Sequence, residues 1–374
     1  MKIGDCVKVL SGYAFKSELF NSCGDGLPLV RIRDVGKDCS DTFYPGDYAE
    51  EYILQNGDIL VGMDGDFRIS EWKGGKALLN QRVCKIIPDG KKIFSRFMLY
   101  NLAIELKKIE EVTPFVTVKH LSVNKIKEIE IPLPSLPVQK KIAAILDAAD
   151  LYRQQTRTLI EKYDQLAQSL FLEMFGDPVR NEKGWEKLEF NKLCSFKKES
   201  IIPQNIITGT KYVGLECIEK ETGNILDINE VTEGDLKSNK FTFDEKYILY
   251  GKLRPYLNKV ALPNFKGICS TDIIPIKPIK GKSNRQFICH IMRGKGFVSF
   301  AHERSSGANL PRISPSVIEK YLVINPPLSL QSQFADRIQL IESQKAQAQV
   351  ALQKSESLFN SLLQKAFKGE LISE

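Results

Sequence analysis

The sequence predicts a mixed α/β protein in which two globular units, in a tandem repeat, alternate with two long helices that pair as an antiparallel coiled coil. The first observation is an internal repeat, because an offset of 192 positions superimposes the chain on itself without a gap from Ser122 to Phe175. The second is a heptad pattern at the end of each repeat, and the third is a set of short alternating strands before it. A unit of about 190 residues therefore occurs twice. The coinciding residues are Ser122 with Ser314, Ile126 with Ile318, Gln139 with Gln331, Ala143 with Ala335, Ser169 with Ser361, Leu170 with Leu362, and Phe175 with Phe367.

Prolines and glycines divide the chain into four segments. Pro137 lies at the start of one helical segment and Pro326 with Pro327 at the start of the other, while Gly176 closes the first. A chain of 374 residues with 43% hydrophobic content has enough apolar material for two cores. We predict a first globular unit over residues 1–135, a helix over 136–176, a second globular unit over 177–326 and a closing helix over 327–374.

In both helical segments, apolar or small residues recur at alternating steps of three and four, which is typical of a heptad seam. Each seam needs a partner helix, and the other helix, running antiparallel, is the simplest one. A dimerisation coil and an ordinary core remain open as alternatives. Lys345 and Ser355 weaken the second seam. The predicted positions are Ile142, Ile145, Ala149, Tyr152, Thr156, Leu159, Tyr163, Leu166 and Leu170, then Phe334, Ile338, Ile341, Lys345, Ala348, Leu352, Ser355, Phe359, Leu362 and Ala366.

The length of these helices bounds the separation of the two units. A helix of about 37 residues is roughly 55 Å long, and duplex DNA covers a similar length in roughly 16 base pairs. Two units held near the ends of such helices would suit a partner with two sites and a gap between them, and duplex DNA is the commonest two-sided partner.

Within the globular units, period-two alternation predicts a strand over residues 29–35, with Val30 and Ile32 on one face, and a counterpart over 211–218. A strand with a glycine turn over 56–62 matches residues 247–253. Short amphipathic runs over 95–106 and 285–292 predict helices. Each unit is therefore expected to be a mixed α/β domain dominated by a twisted sheet.

The charge distribution singles out the second unit. The net charge is +7, and residues 1–135 are balanced at 19 basic and 19 acidic groups. Residues 252–312 carry 12 basic groups against Asp272 and Glu303 alone. If these groups share one face, that face would bind an anion. The alternative is a solvated lysine-rich surface without a ligand.

The cysteines and the apolar runs exclude several protein classes. None of the eight cysteines forms a CxxC pair or a zinc-like spacing, so reduced thiols and no metal site are expected. Charge follows Met1 closely, and no apolar stretch approaches the length of a membrane span, so neither a cleavable signal nor a membrane anchor is expected. We predict a soluble, cytoplasmic protein.

The second unit resembles a target recognition domain of the specificity subunits of type I restriction-modification systems. The resemblance rests on Gly-Lys-Leu-Arg-Pro-Tyr-Leu-Asn-Lys-Val at 251–260, Ser-Thr-Asp at 270–272, Ser-Gly-Ala-Asn-Leu-Pro-Arg-Ile-Ser at 306–314, and a Pro-Pro-Leu exit into a Gln-rich helix. The family pattern of two recognition domains alternating with two spacer helices covers essentially the whole chain. The first unit departs from the motif at 62–65 and 114–121, as the resemblance implies when two half-sites differ in sequence.

The resemblance implies a sequence-specific DNA-binding subunit that reads a bipartite, gapped target. It also implies that two modification (methyltransferase) subunits dock on the spacer helices, and that restriction (helicase-nuclease) subunits join the larger complex. S-adenosylmethionine, ATP and Mg²⁺ are then expected in the partner subunits only, with no cofactor in this chain.

Candidate DNA contacts follow from side-chain chemistry near the predicted turns. Arginine pairs bidentately with guanine and asparagine with adenine, while tyrosine stacks or contacts phosphate. Each candidate could equally be a surface residue without a DNA contact, Arg82 and Arg312 could be structural ion pairs, and His120 is most simply a surface or satisfied histidine. The candidates are Arg68, Lys73, Lys76, Gln81, Arg82, Thr117, Lys119 and His120 in the first unit, and Lys252, Arg254, Tyr256, Asn258, Lys259, Arg304, Ser305, Asn309 and Arg312 in the second.

Two other functional classes compete with a DNA reader. Asn-Pro-Pro-Leu at 325–328 resembles the catalytic motif of adenine methyltransferases, but Leu328 stands where an aromatic must stack the flipped base. We interpret these prolines as a strand-to-helix connection. The sequence also shows no Walker loop, metal-nuclease carboxylate set or histidine cluster, so we predict no active site. A coiled-coil scaffold without nucleic acid is the second alternative, and it predicts partner binding that is insensitive to salt.

Overall fold

The computed structural model describes residues 1–112, 119–232 and 234–372. Its contacts divide the chain into two compact units. Unit 1 comprises Met1–Arg157 with Val350–Glu374, and unit 2 comprises Thr158–Gln349. Each long helix therefore contributes one part to each unit. Within the described ranges, no helix is long and apolar enough to cross a membrane.

The regular elements are short strands, several short helices and two helices of 40 residues. The first repeat contains β1 (Val7–Ser11), β2 (Leu27–Val30), β3 (Phe43–Tyr44), β4 (Ile53–Leu54), β5 (Ile59–Gly62), β6 (Ile69–Glu71), β7 (Ala77–Leu79), β8 (Val83–Pro88), α1 (Ser95–Val112), α2 (Val123–Glu128) and α3 (Leu136–Phe175). The second contains β9 (Lys187–Glu189), α4 (Phe190–Leu193), β10 (Cys194–Ser195), β11 (Ser200–Ile201), β12 (Thr210–Val213), β13 (Asn229–Val231), β14 (Lys240–Phe243), β15 (Ile248–Gly251), β16 (Val260–Ala261), β17 (Gly267–Cys269), β18 (Ile273–Pro278), α5 (Arg285–Arg293), α6 (Lys295–Glu303), α7 (Pro315–Ile318), β19 (Leu322–Ile324) and α8 (Leu328–Phe367).

Unit 1 contains two four-stranded sheets, so the expectation of one dominant sheet was wrong. The strand orders are β1-β8-β5-β6 and β3-β2-β7-β4, and β2 pairs in parallel with β7. Residues 80–82 carry the chain from β7 in one sheet to β8 in the other, and Arg82 adopts a φ of 70° there. Because the chain bends here, β7 and β8 lie in different sheets although only three residues separate them.

Unit 2 repeats this division. Its sheets have the orders β10-β18-β15-β16 and β11-β14-β17-β12-β13, with a further pair β19-β9. Residues 270–272 join β17 to β18, as residues 80–82 join β7 to β8. The parallel pair recurs as β12 with β17, in which Val213 lies opposite Cys269.

The predicted strands over 29–35 and 211–218 are shorter in the structure. The first ends at Val30 and the second at Val213. Past Val30 the chain turns into a 3-10 helix, because the Asp34 carboxylate accepts a hydrogen bond from the Arg31 amide at 3.0 Å and another from Ser40 Oγ at 3.1 Å. Asp34 is thus buried as a cap. The helices expected over 95–106 and 285–292 are confirmed as α1 and α5, and α1 is longer than predicted.

Each unit has one main core formed by a sheet, its following helix and the two long helices. In unit 1 Phe97 of α1 is fully buried with Ile142 of α3 and Phe359 of α8. In unit 2 Phe287 of α5 is fully buried with Phe334 of α8. The long helices are therefore integral parts of both cores.

A buried glutamine at matching positions ties each long helix to its unit. Gln139 accepts a hydrogen bond from the Phe94 amide at 2.8 Å and donates to the carbonyls of Lys92 and Pro134. Gln331 accepts from the Asn284 amide at 2.9 Å and donates to the Pro326 carbonyl. Buried backbone groups need such partners, which explains why this side chain recurs in the repeat.

Within each unit the two long helices run antiparallel, as predicted. In unit 1 the Arg153 guanidinium lies 3.8 Å from the centre of the Phe359 ring, and Arg157 pairs with Glu356 at 2.6 Å. Residue numbers therefore increase along α3 in the direction in which they decrease along α8, so the two helices are antiparallel. In unit 2, Lys345 of α8 pairs with Asp164 of α3 at 2.5 Å. The predicted seam of α8 is confirmed, since every position in it is buried or partly buried.

The predicted seam of α3 is wrong at every second position. Ile145, Tyr152, Leu159 and Leu166 are 38%, 53%, 43% and 50% exposed. The buried stripe instead passes through the residues that follow them, among which is Arg153. A search for apolar residues does not select an arginine. The aliphatic part of the Arg153 side chain can nevertheless pack in the buried stripe, and its guanidinium covers the Phe359 ring.

Candidate nucleic-acid interface

Three chain segments of unit 1 meet where β5 ends, and backbone hydrogen bonds join them. The Met63 amide donates to the Arg82 carbonyl at 2.9 Å, and the Leu121 amide donates to the Met63 carbonyl at 2.7 Å. The Gly65 amide donates to the Lys119 carbonyl at 2.9 Å. We call residues 63–68, 80–82 and 119–121 the β5 edge.

The same frame recurs in unit 2 where β15 ends. The Lys252 amide donates to the Asp272 carbonyl at 2.9 Å, and the Ile313 amide donates to the Lys252 carbonyl at 3.1 Å. The Arg254 amide donates to the Pro311 carbonyl at 2.7 Å. We call residues 252–259, 270–272 and 304–313 the β15 edge. The frames match Gly65 with Arg254, Arg82 with Asp272, and His120 with Arg312.

One carboxylate organises the charges of the β5 edge. Asp64 binds the Arg82 guanidinium through one oxygen and His120 Nδ1, at 2.6 Å, through the other. Arg68 pairs with its neighbour Asp66 at 2.8 Å. Arg82 and His120 remain more than half exposed, at 58% each, so both can still reach a ligand.

A single carboxylate has the same role at the β15 edge, but it lies on a different segment. Asp272 Oδ1 is 3.4 Å from Arg312 Nε and 3.7 Å from Lys252 Nζ. Desolvation lowers the pKa of Lys198, and the positive charge of Lys252 lowers it further. The Asp272 carboxylate therefore lies beside two cations, Lys252 and Arg312.

The loop after β15 has two left-handed residues around a short 3-10 helix, Pro255–Leu257. Arg254 has a φ of 50° and Asn258 a φ of 49°. Asn258 is 8% exposed and its amide donates to the Arg293 carbonyl at 3.1 Å, while Lys259 Nζ donates to the Leu215 carbonyl at 2.8 Å. As DNA contacts, Asn258 and Lys259 stay predictions; in the structure their side chains hydrogen-bond to backbone carbonyls and so anchor the loop.

The remaining side chains of this loop face outward. Tyr256 is 44% exposed and packs edge to face on His302, with ring centres 5.5 Å apart. Beside it lies an open groove of about 420 Å³. Its lining residues are Leu215, Glu216, Leu253, Arg254, Leu257, Lys259, Ser270, Asp272 and Leu310.

The second strip expected in unit 2 joins the edge through a small closed loop. Ser306 and Arg312 exchange backbone hydrogen bonds at 2.9 and 2.8 Å, which leaves Asn309 exposed near the tip. The Arg304 guanidinium covers the Phe300 ring at 4.4 Å, and Ser305 Oγ donates to the His302 carbonyl at 2.7 Å. Ser305 thus closes the end of α6.

Some of the first-unit candidates lie at the β5 edge, and others lie at the opposite end of β5. Gln81 is exposed at the β5 edge, and Lys119 Nζ donates to the Glu110 carbonyl at 2.5 Å. Lys73 and Lys76 are exposed but follow β6, whose last residue pairs with the first residue of β5. They therefore lie at the far end of β5 and do not join the edge. Thr117 lies outside the described residues.

The basic residues of 252–312 do not form one exposed face. Arg285 donates to the carbonyls of Tyr247 and Pro263, and burial lowers its pKa. Arg293 donates twice to the Val260 carbonyl. The condition that all of these basic groups share one exposed face is therefore not met, because Arg285 and Arg293 hold backbone carbonyls inside the unit.

Sequence reasoning missed the two carboxylates that organise these edges. Asp64 follows β5 directly and Asp272 ends the Ser-Thr-Asp segment, so both positions were visible. A search for phosphate-binding cations and base-pairing amides does not select acidic groups, because these repel phosphate. It also missed Tyr13, which is 50% exposed and whose carbonyl accepts from the Gln81 amide at 2.8 Å.

The segment over 325–328 connects β19 to α8, which agrees with its interpretation as a strand-to-helix connection. Within residues 1–112, 119–232 and 234–372, no group of three or more His, Cys, Asp or Glu residues could hold a metal ion.

Known proteins resemble this chain in both sequence and fold. A family model described as the type I restriction modification DNA specificity domain matches residues 1–162. The specificity subunit of the type I restriction enzyme EcoBI from Escherichia coli is 43% identical over 158 residues, which span 42% of this chain and 33% of that subunit. The EcoDI specificity subunit from Escherichia coli is 27% identical over 353 residues, or 84% of this chain and 78% of that subunit.

The fold has a counterpart among solved structures. The S subunit of a type I restriction-modification system from M. genitalium has a TM-score of 0.62 at 15% identity, and the match covers 98% of this chain and 95% of that one. The tandem architecture with its long helices thus extends over both chains. In sequence and in fold, this chain is therefore similar to specificity subunits of type I restriction-modification systems.

Proposed function

We propose that this protein is the sequence-specific DNA-binding subunit of a type I restriction-modification complex, and that it reads a bipartite target separated by a gap. One observation carries the proposal: each unit builds the same backbone frame at a strand exit but lines it with different polar and charged side chains. A constant frame with variable side chains suits two readers of two different half-sites. The β5 and β15 edges are the proposed contact surfaces.

Each edge combines the side-chain types that DNA contacts require. Arg82, Gln81 and His120 are exposed in unit 1, and Arg254, Tyr256 and Arg312 are exposed in unit 2. Guanidinium and amide groups match base edges, and cations match phosphates. Asp64 and Asp272 hold neighbouring cations in place before DNA arrives, which reduces the ordering cost of binding.

We further propose that the reaction is performed by partner subunits. Modification subunits would dock on the long helices, and exposed apolar residues of α3 support this in both units: Leu151 and Tyr152 are 54% and 53% exposed in unit 1, and Leu159 and Leu166 are 43% and 50% exposed in unit 2. S-adenosylmethionine, ATP and Mg²⁺ would be held by the modification and restriction subunits. This chain would then contribute recognition without catalysis.

The experiment is a methylation map of cells in which the gene is intact, deleted, or deleted and restored, with the modification subunit expressed throughout. We expect an adenine-methylated motif with a fixed gap that disappears on deletion and returns on restoration. An unchanged map after deletion would contradict the proposal. In vitro, retention on duplex DNA should fall steeply with salt, because phosphate contacts release counterions. A scaffold that binds only proteins would show neither effect.

A further inference from the structure

Arg254 occupies a backbone position that is unfavourable for most residues other than glycine. Its φ of 50° lies in the left-handed region, where a side chain crowds the following carbonyl. In unit 1 the matching residue is Gly65, with a φ of 68° and the corresponding backbone hydrogen bond. Unit 1 thus fills this place with the unstrained residue, whereas unit 2 places an arginine there. Strain of this kind is often found at functional sites.

The backbone of the loop that carries Arg254 is anchored to the rest of unit 2, whereas the guanidinium of Arg254 is not. Pro255 fixes the next φ angle, and Asn258 and Lys259 anchor the loop to the carbonyls of Arg293 and Leu215. Among the described residues, the Arg254 guanidinium has no hydrogen bond, ion pair or ring contact. Its neighbours differ, because Lys252 and Arg312 pair with Asp272. The loop therefore presents a preorganised but unused fork of donors.

The surroundings of this fork fit a base edge better than a phosphate. Leu253, Leu257 and Leu310 give the groove at Arg254 an apolar wall. A phosphate contact gains little from such a wall and needs no strained backbone, since a flexible lysine serves it. Guanine offers two acceptors, N7 and O6, side by side in the major groove, and arginine matches both at once.

We propose that Arg254 is the specificity-determining residue of unit 2 and that it reads a guanine in the half-site of that unit. The inference rests on the proposed function and adds to it the residue and the base. Lys252 and Arg312, which pair with Asp272, and Arg304, which covers Phe300, then provide orientation and general affinity.

The test uses the full chain purified with its modification subunits and a library of randomised DNA duplexes, from which bound duplexes are sequenced. The variants are Arg254→Lys, which keeps the charge but loses the fork, and Arg254→Gly, which suits the left-handed backbone and so protects folding. The matched control is Lys280→Ala, which removes one exposed charge beyond the other end of β18.

We expect the wild-type complex to select a bipartite motif that contains a guanine, and both variants to lose the preference at that one position by about 5- to 150-fold. The other positions should stay, and the Lys280→Ala motif should be unchanged. If both variants instead keep the motif and weaken binding to all sequences, with a salt slope lower by about 1 for Arg254→Gly, Arg254 contacts phosphate and the inference is wrong. If even the wild-type complex selects no motif, the proposed function fails and this inference fails with it.

Discussion

The β5 edge and the β15 edge share a backbone frame but carry their charged side chains on different segments of it. Where unit 1 has Arg82, unit 2 has Asp272, and where unit 1 has His120, unit 2 has Arg312. In both edges one carboxylate still pairs with two basic side chains. Because main-chain groups supply the three hydrogen bonds of the frame, every side chain on it is free to change. The comparison teaches that the repeat preserves geometry while it varies chemistry.

A similar contrast lies deeper, where the short helix of each unit meets the long helices. Tyr100 of α1 donates to Asp147 of α3 at 2.7 Å, so an ionic network holds unit 1 together. The corresponding residue of α5 is His290, whose ring lies against Phe171 and Phe334 at 6.0 and 4.9 Å. Polar contacts in one unit thus correspond to aromatic contacts in the other, and the units should respond differently to the same change.

The largest effect on stability is expected from removal of the buried glutamines. Gln139→Ala leaves three partly buried backbone groups without a partner, and Gln331→Ala leaves one buried and one partly buried group, at about 1–3 kcal/mol each. We expect the free energy of unfolding to fall by about 4 kcal/mol in unit 1 and by about 3 kcal/mol in unit 2. Hydrogen exchange of α1 and α5, followed by mass spectrometry, reports the two units separately.

The control is Lys140→Ala, an exposed neighbour on α3 that should leave exchange of α1 unchanged. Loss of protection in both units to the same extent from either glutamine variant would mean that these side chains do not stabilise individual units.

The second difference is a pH dependence confined to unit 2. Burial lowers the pKa of His290 to about 4, whereas an unfolded histidine titrates near 6.5. Between these values the unfolded state binds more protons, so the stability of unit 2 should fall by about 1–3 kcal/mol as pH drops from about 7 to about 4.5. Exchange rates of α5 across this range provide the measurement.

His290→Phe should remove that dependence, because phenylalanine keeps the ring contacts and does not titrate. His302→Gln, at an exposed site, should leave it intact. Unit 1 has Tyr100 at the corresponding place, and its pKa is raised by burial, so α1 should show no such change. A fall in α5 protection that survives in His290→Phe would assign the effect to another group.

The sequence predicted the architecture better than the site. The repeat offset located both long helices, and the heptad pattern identified the buried face of α8 because only Lys345 and Ser355 interrupt it. On α3 the same pattern chose Tyr152 over Arg153, since periodicity does not register an arginine that covers Phe359. The domain boundaries predicted at 135, 176 and 326 stay predictions. The division into two compact units does not test them, since that division falls within the two long helices.

At the site, local motifs located Arg254 and Arg312 but not what surrounds them. Lys73 and Lys76 were placed with Arg82 because sequence proximity does not reveal which end of β5 a turn occupies. Asn258 matches the chemistry of adenine readout, yet its amide is used internally. These outcomes depend on long-range pairing and burial, which one sequence does not display.

A smaller difference concerns the cation that interrupts the helix pair in each unit. Arg153 and Lys345 are equivalent in the repeat, but Arg153 covers Phe359 while Lys345 pairs with Asp164. We expect Arg153→Met to destabilise unit 1 by about 1 kcal/mol through the lost cation–π contact. Lys345→Met should leave unit 2 unchanged or stabilise it by about 1 kcal/mol, because a partly buried charge is removed. Urea denaturation of both variants tests the sign, and a loss in both would contradict the contrast.

The smallest difference is the strain at the two matched left-handed positions, Gly65 and Arg254. A Cβ added at Gly65 meets no atom within 4 Å, so Gly65→Ala isolates the backbone cost, which should destabilise unit 1 by about 1 kcal/mol. Arg254→Gly relieves that cost but frees the unfolded chain, so we expect a stability change in unit 2 between zero and about +1 kcal/mol. Gly57→Ala, at another open left-handed glycine with a φ of 97°, provides the reference for Gly65→Ala. If Arg254→Gly proves clearly destabilising, the arginine contributes to the fold, and the strain no longer indicates that its side chain is kept for a ligand.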